Sequence, residues 1–531
     1  MTDGGGVRGY STLLILRELM SKIKALETQP AWMREYDFIE DSVRSSADYP
    51  WQEDTYDHDS QFYPCHYFDY IAGTSTGGLI AIMLGRLRMS VEEAIEKFRY
   101  FGDSVFAKER LFHERRILYF PRAKYSTRRT RKAFLEIIRE SMKKHGGGEV
   151  ENYEVETEPF AMHKNCDQFC HTLVISRKKS GRGVEKTYVH RTYDHHESHE
   201  GSYVVPNSGM ACRSHIWQVA RATSAAPRYF EAHEEGDDTY LDGGMGHNNP
   251  SDIVFHEVIN LHKHYPSIHI SIGTGQPAET IVVRKKDQLG EIRKQSRKQF
   301  IKKYLEIGNA AKKILTDTEM VAANVKLITD RFNTEHVRFN VPNDIRRGTG
   351  DTCLGQIPLD EWLPTKQKKQ KGGEAVAVGA ITTGKIETMT REYLDYPKVQ
   401  EQLEDYARKL VLIRRRRART DRWEKYATNI CYDCGESVQG CAGDLRGPTH
   451  RRTFRTHIMD HHSELVQGKS RKEVEQVISQ YRMFDRQHFK RGTTRTRTRT
   501  GTNTWREEDR RNWTTSLGGG STSGWEIQHA Q

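Results

Sequence analysis

With 531 residues, 83 Lys and Arg against 72 Asp and Glu, and a formal charge of +11, the chain is too long for one small core and predicts a large catalytic domain with appendages. The basic balance suits an anionic membrane surface or, less readily, nucleic acid, and equally a solvated surface with no single partner. Eight irregularly spaced cysteines exclude a secreted disulfide framework, and the lack of any run of roughly 18 apolar residues excludes a membrane span, so the expectation is a cytoplasmic protein that meets membranes peripherally.

In chain order, the glycines at 4 to 6 open into a helical pattern from Tyr10 to Leu26, with Leu13, Leu14, Leu16 and Leu19 at helical spacing. Residues 43–64 read as a surface insertion. Tyr67 to Ala72 then reads as a buried strand, followed by a glycine-bracketed serine and the apolar run Leu79 to Leu84. Val91 to Phe106 continues helical, Thr172 to Ser176 and Thr187 to Tyr193 are extended, and Ile216 to Ala226 is a helix of small residues. Ile268 to Ile272 is β-branched and ends at Gly273, as a central parallel strand would. This alternation predicts an α/β fold with a mainly parallel central sheet. Residues 284–331 and Ile386 to Leu412 are charged helical patterns separated by the polar stretch Lys366 to Gly373, and the basic run Arg414 to Arg417 follows. Beyond residue 488, the Thr-Arg repeat at 494–500 and the Gly and Ser content predict a disordered tail.

Three segments carry chemistry. Gly73, Thr74, Ser75, Thr76 and Gly77 spell G-x-S-x-G between a strand and a helix, the context of a nucleophile elbow. Asp3, Gly4, Gly5, Gly6, Val7, Arg8 and Gly9 place consecutive backbone N–H groups ahead of a helix, as an oxyanion hole requires. Gly4, Gly6 and Gly9 also satisfy G-x-G-x-x-G, but a dinucleotide site needs a preceding strand and a later acidic residue ending the next one. Only Met1 and Thr2 precede Asp3, and Glu27 ends a helix instead. Arg8 suits an oxyanion or a lipid phosphate. Asp242, Gly243 and Gly244, with Asn248, Asn249 and Pro250 behind them, put an aspartate at a strand end; alone, this is an ordinary Asp-Gly turn.

Together these segments resemble the patatin-like phospholipase family. So do the helix from Trp217 to Ala226 with Pro227, Tyr229 and Phe230, and the strand end Ser271, Ile272, Gly273, Thr274 and Gly275. The resemblance covers residues 3–276 and weakens towards 420. It implies a three-layer α/β/α domain over 1–276, a helical extension over 277–420, and a lipid acyl hydrolase that needs no catalytic cofactor. It further implies Ser75 as nucleophile, Asp242 as base and Gly4, Gly5 and Gly6 as oxyanion donors. The family places an apolar strand before its Asp-Gly-Gly-Gly segment, and that strand is expected to be missing here. An inactive patatin-like scaffold or binding protein is therefore the alternative. No oxygen-rich calcium loop stands near the dyad residues.

Over 425–470, Cys431 and Cys434 in C-x-x-C spacing, with His457 and His462 (or His461) downstream, suggest a non-standard Cys2His2 zinc module. Cys441 and His450 are substitutes, and a reduced cysteine pair near an unrelated helix is the plainer reading. His195, His196 and His199 read as a polar loop rather than a metal site.

Overall fold

The computed structural model describes residues 1–27, 62–110, 123–145, 155–161, 170–195, 205–276, 318–345, 352–363, 379–418, 430–432 and 451–484. The insertion expected at 43–64 lies almost wholly outside them, as do the polar stretch at 366–373, most of the helical pattern expected at 284–331 and the tail beyond 488.

The leucine period after the glycine run forms α1 (Gly9–Glu27). Its residues from Gly9 to Leu16 are buried all round, because helices from distant parts of the chain cover its other faces. The strand β1 (Tyr70–Thr74) leads through Ser75 into α2 (Thr76–Ala81), which continues as a π-helical turn to Arg86. Ser90 and Glu93 then close a reciprocal capping box on α3 (Val91–Phe101): the Glu93 N–H donates to Ser90 Oγ at 3.1 Å and the Ser90 N–H to Glu93 Oε2 at 2.7 Å. Next come α4 (Thr127–His145), β2 (His171–Ser180), β3 (Lys186–Arg191), α5 (Ile216–Thr223), β4 (His233–Glu235), β5 (Asp238–Asp242), α6 (Ser251–His262) and β6 (Ile268–Ile272).

The sheet is mixed, not mainly parallel. β1 runs parallel to β2, whereas β3 and β5 run antiparallel to β2, and β4 runs antiparallel to β5. The reason is local: β4 and β5 are joined by the two-residue turn Gly236–Asp237, with Gly236 at φ +61, and β2 and β3 by a short glycine-containing loop, so both are hairpins. β3 pairs with Leu173 to Lys178 of β2, which overlaps the partners of both β1 and β5. β1 and β5 therefore share the opposite edge of β2, β1 against His171 to Ile175 and β5 against Ser176 to Ser180.

Met1 to Asp3 occupy the slot where the missing strand was expected. The Thr2 N–H donates to Ala72 O at 2.9 Å, the Thr74 N–H to Thr2 O at 3.3 Å and the Asp3 N–H to Ile272 O at 3.1 Å, so this short segment bridges β1 and β6 in parallel. Beyond β6, α7 (residues 318–331) precedes β7 (Glu335–Phe339), which pairs in parallel with β6. β7 falls in the stretch expected to be helical; its alternation Glu335, His336, Val337, Arg338, Phe339 was lost among the charged periods around it. The helices α8 (Ala380–Leu394) and α9 (Pro397–Ala418), separated where Pro397 opens the second, pack on α1. Ser11 Oγ lies 2.7 Å from Thr390 Oγ1, and Tyr10 donates to Glu387 at 2.6 Å.

Alternate residues of β2 serve opposite faces of the sheet. Val174 joins the large core with α1, α3, α4, α5, α8 and α9, while Leu173 and Ile175 join a smaller one with Ile253, Val254 and Val258 of α6. The helix–sheet–helix layering thus follows from the strand period. Near the C-terminus, β8 (Ile430–Tyr432), α10 (Arg451–His461), α11 (Ser463–Val466), α12 (Arg471–Gln480) and β9 (Arg482–Phe484) enclose a separate core of Tyr432, Phe454, Ile458, Val466 and Ile478. No helix among the described residues is long and apolar enough to cross a membrane.

Arg191 ties β3 to α6 through Glu257, whose two carboxylate oxygens accept from the guanidinium at 2.6 and 2.8 Å; both side chains are buried. Glu257→Ala leaves that guanidinium unpaired in the interior. It is expected to lower unfolding free energy by about 3–5 kcal/mol in urea titration.

Candidate active site

One residue separates β1 from α2, so the chain must reverse at Ser75, which takes φ 55 and ψ −123. A non-glycine residue held there costs of order 1–3 kcal/mol and persists only where its surroundings impose it. They do so closely. A Cβ on Gly73 would strike the backbone of Gly77, and one on Gly77 would strike the carbonyl of Thr2, which is why the turn needs both glycines. The Ser75 N–H donates to Thr223 Oγ1 at 2.8 Å, and that hydroxyl donates to Ile175 O at 2.7 Å. The last residue of α5 therefore pins the strained turn to β2.

Asp242 ends β5 opposite Ser176, next to the position where β1 ends opposite Ile175. Ser75 Oγ donates to Asp242 Oδ2 at 2.6 Å, with no imidazole between them. The other carboxylate oxygen accepts the Gly244 N–H at 2.7 Å. Burial raises the Asp242 pKa from 3.8 to about 6, opposed by the Ser75 hydroxyl and the Gly244 N–H. A hydroxyl held by a buried carboxylate that retains appreciable basicity near neutral pH is arranged to give up its proton.

The glycine loop passes over Ser75: a Cβ on Gly4 would lie 3.0 Å from that of Ser75 and collide with Asn248. The Gly4 N–H donates to Asn248 O at 3.1 Å, whereas the N–H groups of Gly5 and Gly6 have no hydrogen-bond partner among the described residues. Their direction is set through the carbonyls. Gly4 O accepts from Asn248 Nδ2 at 3.1 Å and Thr274 Oγ1 at 3.0 Å, and Gly5 O accepts from the Arg8 N–H at 3.1 Å and Arg8 Nε at 3.2 Å. In a trans peptide the carbonyl and the following N–H point oppositely, so fixing these two oxygens aims the N–H groups of Gly5 and Gly6 away from them. Gly6 sits at φ +57 with no room for a side chain beside Leu359.

Other expected site residues fall elsewhere. Arg8 is buried, donating to Gly355 O at 2.5 Å as well as to Gly5 O, so it is a strut of the loop and not a group offered to a lipid phosphate. His195 is buried with its Nε2 3.8 Å from Glu257, and burial lowers its pKa; His196 and His199 lie outside the described residues. His457 and His462 are both buried with ring centroids 5.0 Å apart, whereas His461 is exposed. Cys431 belongs to β8, and Cys434, Cys441 and His450 lie outside the described residues. Among the described residues no three His, Cys, Asp or Glu side chains are grouped to hold a metal. Sequence reasoning missed the supporting roles of Thr223, Asn248 and Thr274, whose only signal was proximity to the motifs.

A strained serine at the end of a β-strand, bonded to a buried aspartate at the end of another, marks an α/β protein of the nucleophile-elbow class. Residues 1–255 match the family model described as patatin-like phospholipase, and this part of the chain is a domain of that family. Among curated proteins, calcium-independent phospholipase A2-gamma of Homo sapiens is 31% identical over 211 residues, covering 39% of this chain, and that of Oryctolagus cuniculus is 30% identical over 210 residues, again 39%. Phospholipase A I of Arabidopsis thaliana is 23% identical over 306 residues, 51% of the chain. The matched regions span 24% of the two phospholipases A2-gamma and 20% of the plant protein.

Because its folded pKa lies above the ordinary 3.8, Asp242 contributes stability that is fully present below about pH 4 and lost as pH rises through about 6. The loss is on the order of 3 kcal/mol at 1.36 kcal/mol per pH unit. Urea titrations from pH 4 to 8 should show Asp242→Asn gaining on the parent by about that amount across this window.

Proposed function

We propose that the chain is a lipid acyl hydrolase that releases fatty acid from phospholipid-type esters. The observation that carries the reading is the 2.6 Å bond from the strained Ser75 hydroxyl to buried Asp242. In this mechanism Ser75 Oγ attacks the ester carbonyl while Asp242 takes its proton. The N–H groups of Gly5 and Gly6, with the first-turn N–H of Thr76 at the start of α2, receive the oxyanion. Collapse expels the alcohol, which takes the proton from Asp242 and leaves an acyl ester on Ser75. Water then attacks that ester, Asp242 again accepts the proton and returns it to the Ser75 oxygen, and the fatty acid departs. No cofactor or calcium enters any step. The phospholipase names of the relatives support the substrate class, and the basic surface suits a peripheral encounter with anionic lipid. The scaffold alternative rested on the absent strand; since Met1 to Asp3 pair with both neighbours, no observation favours it.

Fatty acid release from mixed phospholipid vesicles without added metal is expected from the parent and lost by at least about 1,000-fold in Ser75→Ala and Asp242→Asn. Because Asp242 must be ionised to act, kcat should fall on the acid side with a midpoint near pH 6. A parent that folds and releases no fatty acid at any pH would end the reading.

A structural zinc in the C-terminal module is proposed on the C-x-x-C spacing of Cys431 and Cys434 and on the buried pair His457 and His462, where His462 Nε2 has no hydrogen-bond partner among the described residues. The exposure of His461 favours His462 as the second imidazole. Elemental analysis of purified protein should find one zinc per chain, and Cys431→Ser with Cys434→Ser should abolish it without loss of ester hydrolysis.

A further inference from the structure

Asp3, the residue that leads into the glycine loop, is buried, and its carboxylate is held by a side chain from far along the chain. Arg338 Nη2 on β7 donates to Asp3 Oδ2 at 2.8 Å. The same guanidinium donates from Nη1 to Ser271 Oγ on β6 at 2.9 Å and from Nε and Nη2 to Glu319 Oε1 at 3.0 and 2.5 Å. Glu319 Oε1 also accepts from Asn340 Nδ2 at 2.8 Å, and Asn340 Oδ1 accepts the Gly275 N–H at 2.7 Å, next to Thr274, which holds Gly4 O. One cation thus braces both ends of the loop's support: Asp3 directly, and the Thr274–Gly275 turn through Glu319 and Asn340. Arg338, Glu319 and Asn340 all lie beyond residues 1–255, the stretch shared with the family.

We infer that Arg338 is a positioning residue for the oxyanion loop, acting through Asp3 to keep the N–H groups of Gly5 and Gly6 aimed beside Ser75. The inference rests on the hydrolase reading above. Without the guanidinium, Asp3 would be a buried carboxylate stripped of its hydrogen-bonded counter-charge, with only the Met1 ammonium nearby, and the segment Met1 to Asp3 would be drawn out of its slot towards water or forced to take up a proton. Either change shifts the loop while leaving Ser75, Asp242 and their mutual bond in place. A displacement near 1 Å in such a group typically costs about 100-fold in rate. Because the loop meets the oxyanion and not the leaving portion of the substrate, the loss belongs to kcat and not to KM.

The test measures hydrolysis of a p-nitrophenyl fatty acyl ester by the full chain as parent, Ser75→Ala, Asp3→Asn, Arg338→Ala, Arg338→Lys and the double variant Asp3→Asn/Arg338→Ala. Glu257→Ala serves as a comparator destabilised away from the loop. Rates are normalised to folded protein by circular dichroism. Expected is a kcat fall of about 10- to 100-fold in Arg338→Ala and in Asp3→Asn with KM within about twofold. The double variant should be no slower than the slower single, and Arg338→Lys should recover part of the loss. Glu257→Ala should keep the parental kcat per folded molecule. If Arg338→Ala does not fold, Arg338→Lys and Asp3→Asn carry the test by the same kcat criterion. Parental kcat in folded Arg338 and Asp3 variants, a loss confined to KM, or a loss matched by Glu257→Ala overturns the inference while leaving the hydrolase reading intact. A parent whose hydrolysis is absent or survives in Ser75→Ala overturns both.

Discussion

β2 presents ten residues along one edge, and two strands running in opposite directions divide that edge between them. β1 ends opposite Ile175 and β5 ends opposite Ser176, so the C-terminal ends of the two strands meet head-on at adjacent positions of a common partner. Everything in the site depends on that meeting. A slip of one residue in either ladder would move a strand end by about 3.3 Å and turn its side chains to the other face of the sheet. Ser75 and Asp242 would then have no 2.6 Å contact to make. The turn at Ser75, the threonine that pins it and the glycines that admit it all elaborate a geometry already set by the pairing.

Charge is distributed to match. Four carboxylates are buried among the described residues: Asp3, Glu158, Asp242 and Glu257. Asp3 faces Arg338, Glu158 faces Arg86 and Glu257 faces Arg191, each within salt-bridge distance. Asp242 alone has a hydroxyl and a backbone N–H in place of a cation. A guanidinium there would lower its proton affinity and make it a poor base; its absence leaves the carboxylate near pH 6. The arginines neutralise a carboxylate in three places, and the fourth is left without a cation.

Much of this was legible in the residues. The G-x-S-x-G segment between an apolar strand and an apolar helix, the glycine run before a leucine-periodic helix, and the strand-end Asp242 each appear where the sequence places them. The mixed sheet was not legible: alternating strands and helices pointed to parallel pairing, and β4 and β5 are too short to announce the hairpin that Gly236–Asp237 closes. β7 was not legible, because a five-residue strand carrying Glu, His and Arg has no apolar run to announce it; it is identified by pairing with β6, a non-local fact. For the same reason the bond from the Gly4 N–H was not legible: whether a given N–H is free depends on what stands opposite it, here Asn248 O. Motif spacing shows which groups are present, and only tertiary contact shows which are already occupied.

The glycine loop draws its support from both sides of the family boundary. Asn248 lies within residues 1–255, but Thr274, Arg338, Gly355 and Leu359, which hold Gly4, Asp3, Arg8 and Val7, lie outside it. Homology and mechanical integrity therefore delimit different units in this chain. The reactive pair could be inherited, grafted or excised as one piece with the first 255 residues, yet the frame around it could not. Substitutions beyond residue 255 can consequently reach the loop through these contacts without altering a motif residue.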